Sequence, residues 1–89
     1  MKSRRGSTFR AYFAQLPDEA KQQARMAYRQ FKNDPFYPGL HFKKVHAAES
    51  LWSVRVGLHY RAVGIMGGDT IYWVWIGSHA EYDKFLSQS

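Results

Sequence analysis

The sequence predicts an α+β fold, an N-terminal helical hairpin packed on a four-stranded antiparallel sheet with a short C-terminal helix after it. Apolar residues recur at helical spacing as far as Phe31, alternate between Leu40 and Ile76, and return to helical spacing after Gly77-Ser78. Those changes of period divide the chain.

Phe9, Phe13 and Leu16 follow Ser7 and Thr8, either of which can cap a helix start, and so mark a short first helix. Leu16-Pro17 interrupts it. Pro17 suits the first turn of a second helix, where Asp18 and Glu19 favour the positive end of the dipole. Ala20, Ala24, Ala27, Tyr28 and Phe31 form the apolar stripe of that helix, and Lys21, Gln22, Arg25, Arg29 and Lys32 fall mostly outside it. The two helices are expected to fold back on each other. Asn33-Asp34-Pro35 ends the second, because a proline disfavours helical backbone in the residue before it.

After a turn at Pro38-Gly39 come four strand candidates, residues 40–46, 51–56, 60–66 and 70–76. Gly57-Leu58-His59 and Gly67-Gly68-Asp69 join the last three, and connections of three residues are common in hairpins. An antiparallel meander is expected. Gly77-Ser78 then opens a helix over residues 79–87, with Tyr82, Phe85 and Leu86 as its buried face.

At 89 residues the chain is expected to be a single domain, 1–89, whose one core draws on six Phe, six Tyr and three Trp. The absence of cysteine removes disulfides and thiolate metal sites, which fits a reducing cytoplasm, and no metal or cofactor is expected. MKSRRGSTFR carries positive charge with no apolar run behind it, so neither a signal peptide nor a membrane anchor is expected there. Thirteen Lys and Arg against seven Asp and Glu give a net charge of +6, which favours phosphate backbones or an acidic protein partner.

The segment WSVRVGLHYR turns that charge into geometry. If Gly57, Leu58 and His59 form the loop, Val56 lies opposite Tyr60 and Arg55 opposite Arg61. Trp52, Val54, Val56, Tyr60 and Ala62 then share the face that meets the helices, and Ser53, Arg55, Arg61, Val63 and Ile65 share the other. Two guanidinium groups placed so would repel unless an anion lies between them, or unless each pairs with a carboxylate such as Glu49 or Asp69. A two-residue turn would instead put them on opposite faces. Lys43 and Lys44 widen the basic area, although alternation keeps them from facing the same way, and they equally suit edge charges that discourage aggregation. His79 and Tyr82 stand three residues apart on the last helix, hence side by side on one face.

Three stretches, LPDEAKQQARMAYRQFKNDPFYPGLHFKKV, WSVRVGLHYRAVG and IYWVWIGSHAEYDKFL, resemble the RelE/ParE superfamily of bacterial toxins over nearly the whole chain. The resemblance implies the toxin component of a type II toxin-antitoxin module, with a cognate antitoxin as partner. RelE-like members are ribosome-dependent mRNA endoribonucleases, whereas ParE-like members poison DNA gyrase. By position, Arg61 corresponds to the arginine on the scissile phosphate and Arg55 to a basic residue of the same face. His79 falls where such enzymes place a basic or acid-base residue, Tyr82 near their C-terminal aromatic, and Lys43 and Lys44 match the basic strand loosely. MKSRRGSTFR matches poorly the β-strand that begins this fold, so four strands or a missing edge are expected. No carboxylate stands where some relatives use a glutamate as base.

Metal-independent RNA cleavage needs a base for the 2′-hydroxyl, cations for the phosphorane and an acid for the departing 5′-oxygen. On the RelE-like reading, Arg61 and Arg55 hold the phosphate, His79 transfers a proton, and Tyr82 stacks on or orients a base. The partners are then mRNA on the ribosome and the antitoxin, and the chain is a monomer or part of a toxin-antitoxin hetero-oligomer in the cytoplasm. Gyrase inhibition, or a non-catalytic basic docking module of the same fold, are the alternatives.

Overall fold

The computed structural model describes residues 1–46 and 50–87. In chain order it holds β1 (Lys2–Arg5), α1 (Ser7–Ala14), α2 (Asp18–Asn33), a 3-10 turn (Pro38–Leu40), β2 (Lys43–His46), β3 (Leu51–Val56), β4 (Tyr60–Gly67), β5 (Thr70–Ser78) and α3 (His79–Ser87). The strands form one sheet of five in the order β1-β5-β4-β3-β2, with β1 parallel to β5 and every other pairing antiparallel.

The fifth strand corrects the expectation of four. Lys2–Arg5 is polar and has no apolar alternation, because it is an edge strand held by backbone pairing from Lys2 opposite Thr70 to Arg5 opposite Trp73. One side chain adds to that pairing, since Trp73 Nε1–H donates to Ser3 Oγ at 2.9 Å. Helix α1 starts just beyond β1 and packs against β5, so a helix follows the strand along the same edge.

Neither Ser7 nor Thr8 caps α1. The N-cap is Gly6, with extended backbone and no side-chain cap, and Ser7 is already helical. Pro17 likewise stands just before α2 as its N-cap rather than inside its first turn. Phe9 and Phe13 of α1, Leu16 of the link after it, and Ala24, Ala27, Tyr28 and Phe31 of α2 converge on Val54, Val56, Ala62, Ile71, Trp73 and Ile76 of the sheet. The helices meet where Arg25 lies over the Phe13 ring, 5.6 Å from its centroid, and a cleft of about 270 Å³ remains between them and the sheet.

Strand β3 has its expected bounds, whereas β4 runs one residue further and pairs Gly67 with Thr70. The β4–β5 connection is therefore the two-residue turn Gly68-Asp69. The candidate strand at 40–46 shortens to Lys43–His46, because Leu40 ends the 3-10 turn and His41 takes left-handed backbone at φ 48. Leu40 and Phe42 are both buried, two residues apart, and so imitate strand alternation.

In β5 one residue breaks the alternation. Val63 pairs with Trp75 but Gly64 pairs with Trp73, so Val74 is the extra residue of a β-bulge. Trp73 consequently joins the core under the helices, and Trp75 joins a second core on the far face with Leu51, Val63 and Tyr82, to which α3 also contributes Phe85 and Leu86.

Phe31 is 2% exposed and meets Phe42 and Trp73 edge-on, with centroids at 5.0 and 5.3 Å. Beside an existing cleft its removal cannot be filled by small shifts. Phe31→Ala is expected to cost about 3–5 kcal/mol, read as a lowered midpoint in urea unfolding, whereas Phe31→Leu should lose less.

Candidate phosphate-binding site

The site is a row of residues across the sheet, and the β3–β4 loop sets it. Gly57, Leu58 and His59 form the loop as expected, with Gly57 at φ 60, a left-handed conformation that glycine adopts at low cost. Val56 consequently stands opposite Tyr60 and Arg55 directly opposite Arg61. In the next ladder Arg61 pairs with Gly77. A side chain at Gly77 would collide with the Trp75 indole, since a Cβ there would lie 2.6 Å from Cζ2, so the space beside Arg61 carries an aromatic edge and no side chain of its own.

Both arginines are half-buried. Arg61 Nη1–H donates to the Tyr60 carbonyl at 2.8 Å, which fixes one side of the guanidinium and leaves its other donors unassigned. The Arg55 Nη1 lies 3.4 Å from His41 Nε2, a long hydrogen bond that requires the imidazole nitrogen to accept. Among the described residues neither guanidinium pairs with a carboxylate. Asp69, one of the two partners considered, sits at the far turn and accepts from the Thr70 hydroxyl at 3.3 Å; Glu49 lies outside the described residues.

Lys43 pairs with Ser53 and so shares the arginine face one row away, exposed to solvent. Lys44 pairs with Trp52 and turns to the helix side, apart from the arginines. Alternation required that one of the two be lost from the face, and the β2–β3 register selects Lys44.

His79 is the exposed first residue of α3, directly after Ser78, which pairs with Tyr60. Its backbone N–H donates to the His59 carbonyl at 2.8 Å, which ties the helix start to the loop that carries the arginines. The His79 ring stacks with Tyr82, centroids 6.3 Å apart. Tyr82 corrects an expectation, because it is 7% exposed, packed beside Trp75 and part of the second core, and so has no free face for a nucleotide base.

Two features escaped the sequence reading. His41 extends the row to His41–Arg55–Arg61, which only the register of β2 against β3 reveals. The start of α3 is a capping box: the Ser78 N–H donates to Glu81 Oε1 at 2.9 Å, and the Glu81 N–H to the Ser78 hydroxyl at 3.2 Å. Ser-x-x-Glu was readable in the sequence. The Ser78 backbone N–H, then its hydroxyl, hold the Glu81 carboxyl below its usual range, with a smaller contribution from Lys84.

The ParE-like toxin domain family matches residues 18–84, and the chain belongs to that family, within the RelE/ParE superfamily. Its fold is similar to that in a RelB-RelE antitoxin-toxin complex from Methanococcus jannaschii, with a TM-score of 0.73 at 18% identity over 92% of this chain and 96% of that one. A YoeB/ParE toxin from Agrobacterium tumefaciens matches with a TM-score of 0.67 at 15% identity over 89% and 99% of the two chains. The toxin-antitoxin complex RelBE2 from Mycobacterium tuberculosis gives 0.67 at 17% identity over 88% and 96%. Comparison with curated protein sequences returns no match. Among the described residues no helix is long and apolar enough to cross a membrane, and no group of three or more His, Asp or Glu could hold a metal ion.

The capping box carries a stability prediction. Ser78→Ala should cost about 1 kcal/mol by removing the cap of α3. Glu81 has a lowered folded pKa, so it stabilises the fold above the ordinary carboxylate value of 4.5, and that contribution is lost as pH falls through the lowered value. Thermal melts of wild type and Glu81→Gln are therefore expected to differ at neutral pH and to converge in acid. A gap that persists unchanged in acid would assign the effect to shape and not to charge.

Proposed function

We propose that this toxin is a metal-independent, ribosome-dependent mRNA endoribonuclease, neutralised by a cognate antitoxin. The observation that carries the reading is the pair Arg55 and Arg61, directly opposed on one sheet face with no carboxylate between them among the described residues. Like charges at such a position destabilise the ladder unless an anion occupies it, and a phosphodiester is the anion that two guanidinium forks fit.

In this mechanism the arginines hold the scissile phosphate and stabilise the charge that builds on the phosphorane. His79, at the Arg61 end of the row, transfers a proton. Tyr82 packs against the His79 ring and positions it. Lys43 draws the neighbouring backbone phosphate, and Lys44 contributes only general attraction for RNA. DNA cannot replace the substrate, since it lacks the attacking 2′-hydroxyl. Action on mRNA at the ribosome would place the toxin in the cytoplasm.

An antitoxin partner is supported by relatives of the same fold solved as antitoxin-toxin complexes. The net charge of +6 suits an acidic one.

The test is controlled expression of wild type, Arg61→Ala and His79→Ala with mapping of the 5′ ends of cellular transcripts. Wild type should arrest growth and create new ends, and each variant should reduce them by about 10²-fold or more. Arrest without new ends rejects the nuclease. If trapped gyrase and double-strand breaks accompany that arrest, the activity is that of a gyrase poison. No arrest from any chain leaves a non-catalytic docking module.

A further inference from the structure

We infer that His41 is the general base of this site, opposite His79 as its general acid, an assignment that rests on the nuclease reading. Lys43 pairs with Ser53 in an antiparallel ladder, and continuing that register by two residues brings His41 opposite Arg55. The contact between Arg55 and the His41 ring matches that placement.

Local structure explains why the ring stands there. Leu40 and Phe42, on either side, are 4% and 8% exposed and anchored in the core under the helices. His41 between them has left-handed backbone at φ 48, and its N–H donates to the Pro38 carbonyl at 3.2 Å. Few residues other than glycine take that conformation, although histidine is among those enriched in it. Its side chain is exposed, at the arginine end of the sheet.

To accept a hydrogen bond from Arg55, which can only donate, Nε2 must offer a lone pair toward the guanidinium. That is the form a base needs. The hydrogen bond is long, and a phosphate drawing the Arg55 fork toward itself frees Nε2 for the 2′-hydroxyl.

In-line displacement at phosphorus requires base and acid on opposite sides of the phosphate. The row provides that order: His41 beside Arg55, then Arg61, then Gly77, with His79 two residues beyond Gly77 at the start of α3. The 2′-hydroxyl gives its proton to His41 Nε2 as the 2′-oxygen bonds to phosphorus. The bond from phosphorus to the 5′-oxygen breaks, and that oxygen takes a proton from His79. The products are a 2′,3′-cyclic phosphate and a 5′-hydroxyl, and no other reactant is consumed.

The test measures single-turnover cleavage of a defined mRNA on purified ribosomes, from about pH 5 to about pH 9, for wild type and His41→Asn. Asparagine tolerates the left-handed backbone and cannot take up the proton. Wild type should show a bell-shaped profile and cyclic-phosphate ends. His41→Asn should cleave about 10²-fold or more slowly and lose the rise on the acidic side, while keeping the fall on the alkaline side that His79 supplies. Its binding to the same mRNA with a 2′-deoxy nucleotide at the cut should match wild type to within about twofold, since only a proton acceptor has been removed. If His41→Asn cuts at the wild-type rate with the acidic rise intact, His41 is not the base although the chain is a nuclease. If binding falls in step with rate, His41 is part of the phosphate grip and not the base. If wild type does not cut, the nuclease reading fails and this inference with it.

Discussion

The opposition of Arg55 and Arg61 is held by the residues that alternate with them. Val54, Val56 and Ala62 point through the sheet into the core under the helices, and Val54 and Ala62 are themselves cross-strand partners. Burying a Val-sized side chain is worth about 1.5–3 kcal/mol. Like charges across a ladder oppose with roughly 0.2–1 kcal/mol. Hydrophobic burial therefore decides the register, and the two guanidiniums must accept it. A slip by one residue would relieve the repulsion only by turning three core residues into water.

That face needs a second layer, which the bulge at Val74 provides. With plain alternation Trp73 and Trp75 would both enter the core under the helices; the extra residue sends Trp75 to the opposite side, where its ring stacks on Phe85 at 5.1 Å and lies 6.4 Å from Tyr82. Helix α3 thus has an aromatic floor, and the capping box sets where its first turn begins. One strand consequently serves both cores, so the position of His79 depends on the same register that fixes the arginines.

Much of this was legible because period and turn chemistry are local. The loop at Gly57-Leu58-His59, the bounds of β3, the opposition of the arginines and the buried face of α3 all follow from spacing within a few residues. Strand β1 was not legible, because an exposed edge strand buries too little to need an apolar pattern, and its partner β5 lies about 70 residues away in the chain. The start of β2 misled for the converse reason. Leu40 and Phe42 show strand periodicity while a 3-10 turn and a left-handed residue produce it.

The site divides along the same line. Arg55 and Arg61, proposed to hold charge in place, form the second-last pair of the β3–β4 ladder, where Val54, Val56 and Ala62 beside them are buried in the core and make the backbone rigid. The imidazoles stand where elements end, His41 as the C-cap of a 3-10 turn and His79 as the first residue of a helix. Strand alternation can predict the first kind. It is silent on the second, since a side chain at an element's end takes its direction from a turn and its neighbours from tertiary packing. Tyr82 shows the same limit from the other side: helical spacing placed it next to His79, but only the packing around Trp75 shows its ring to be buried in the second core.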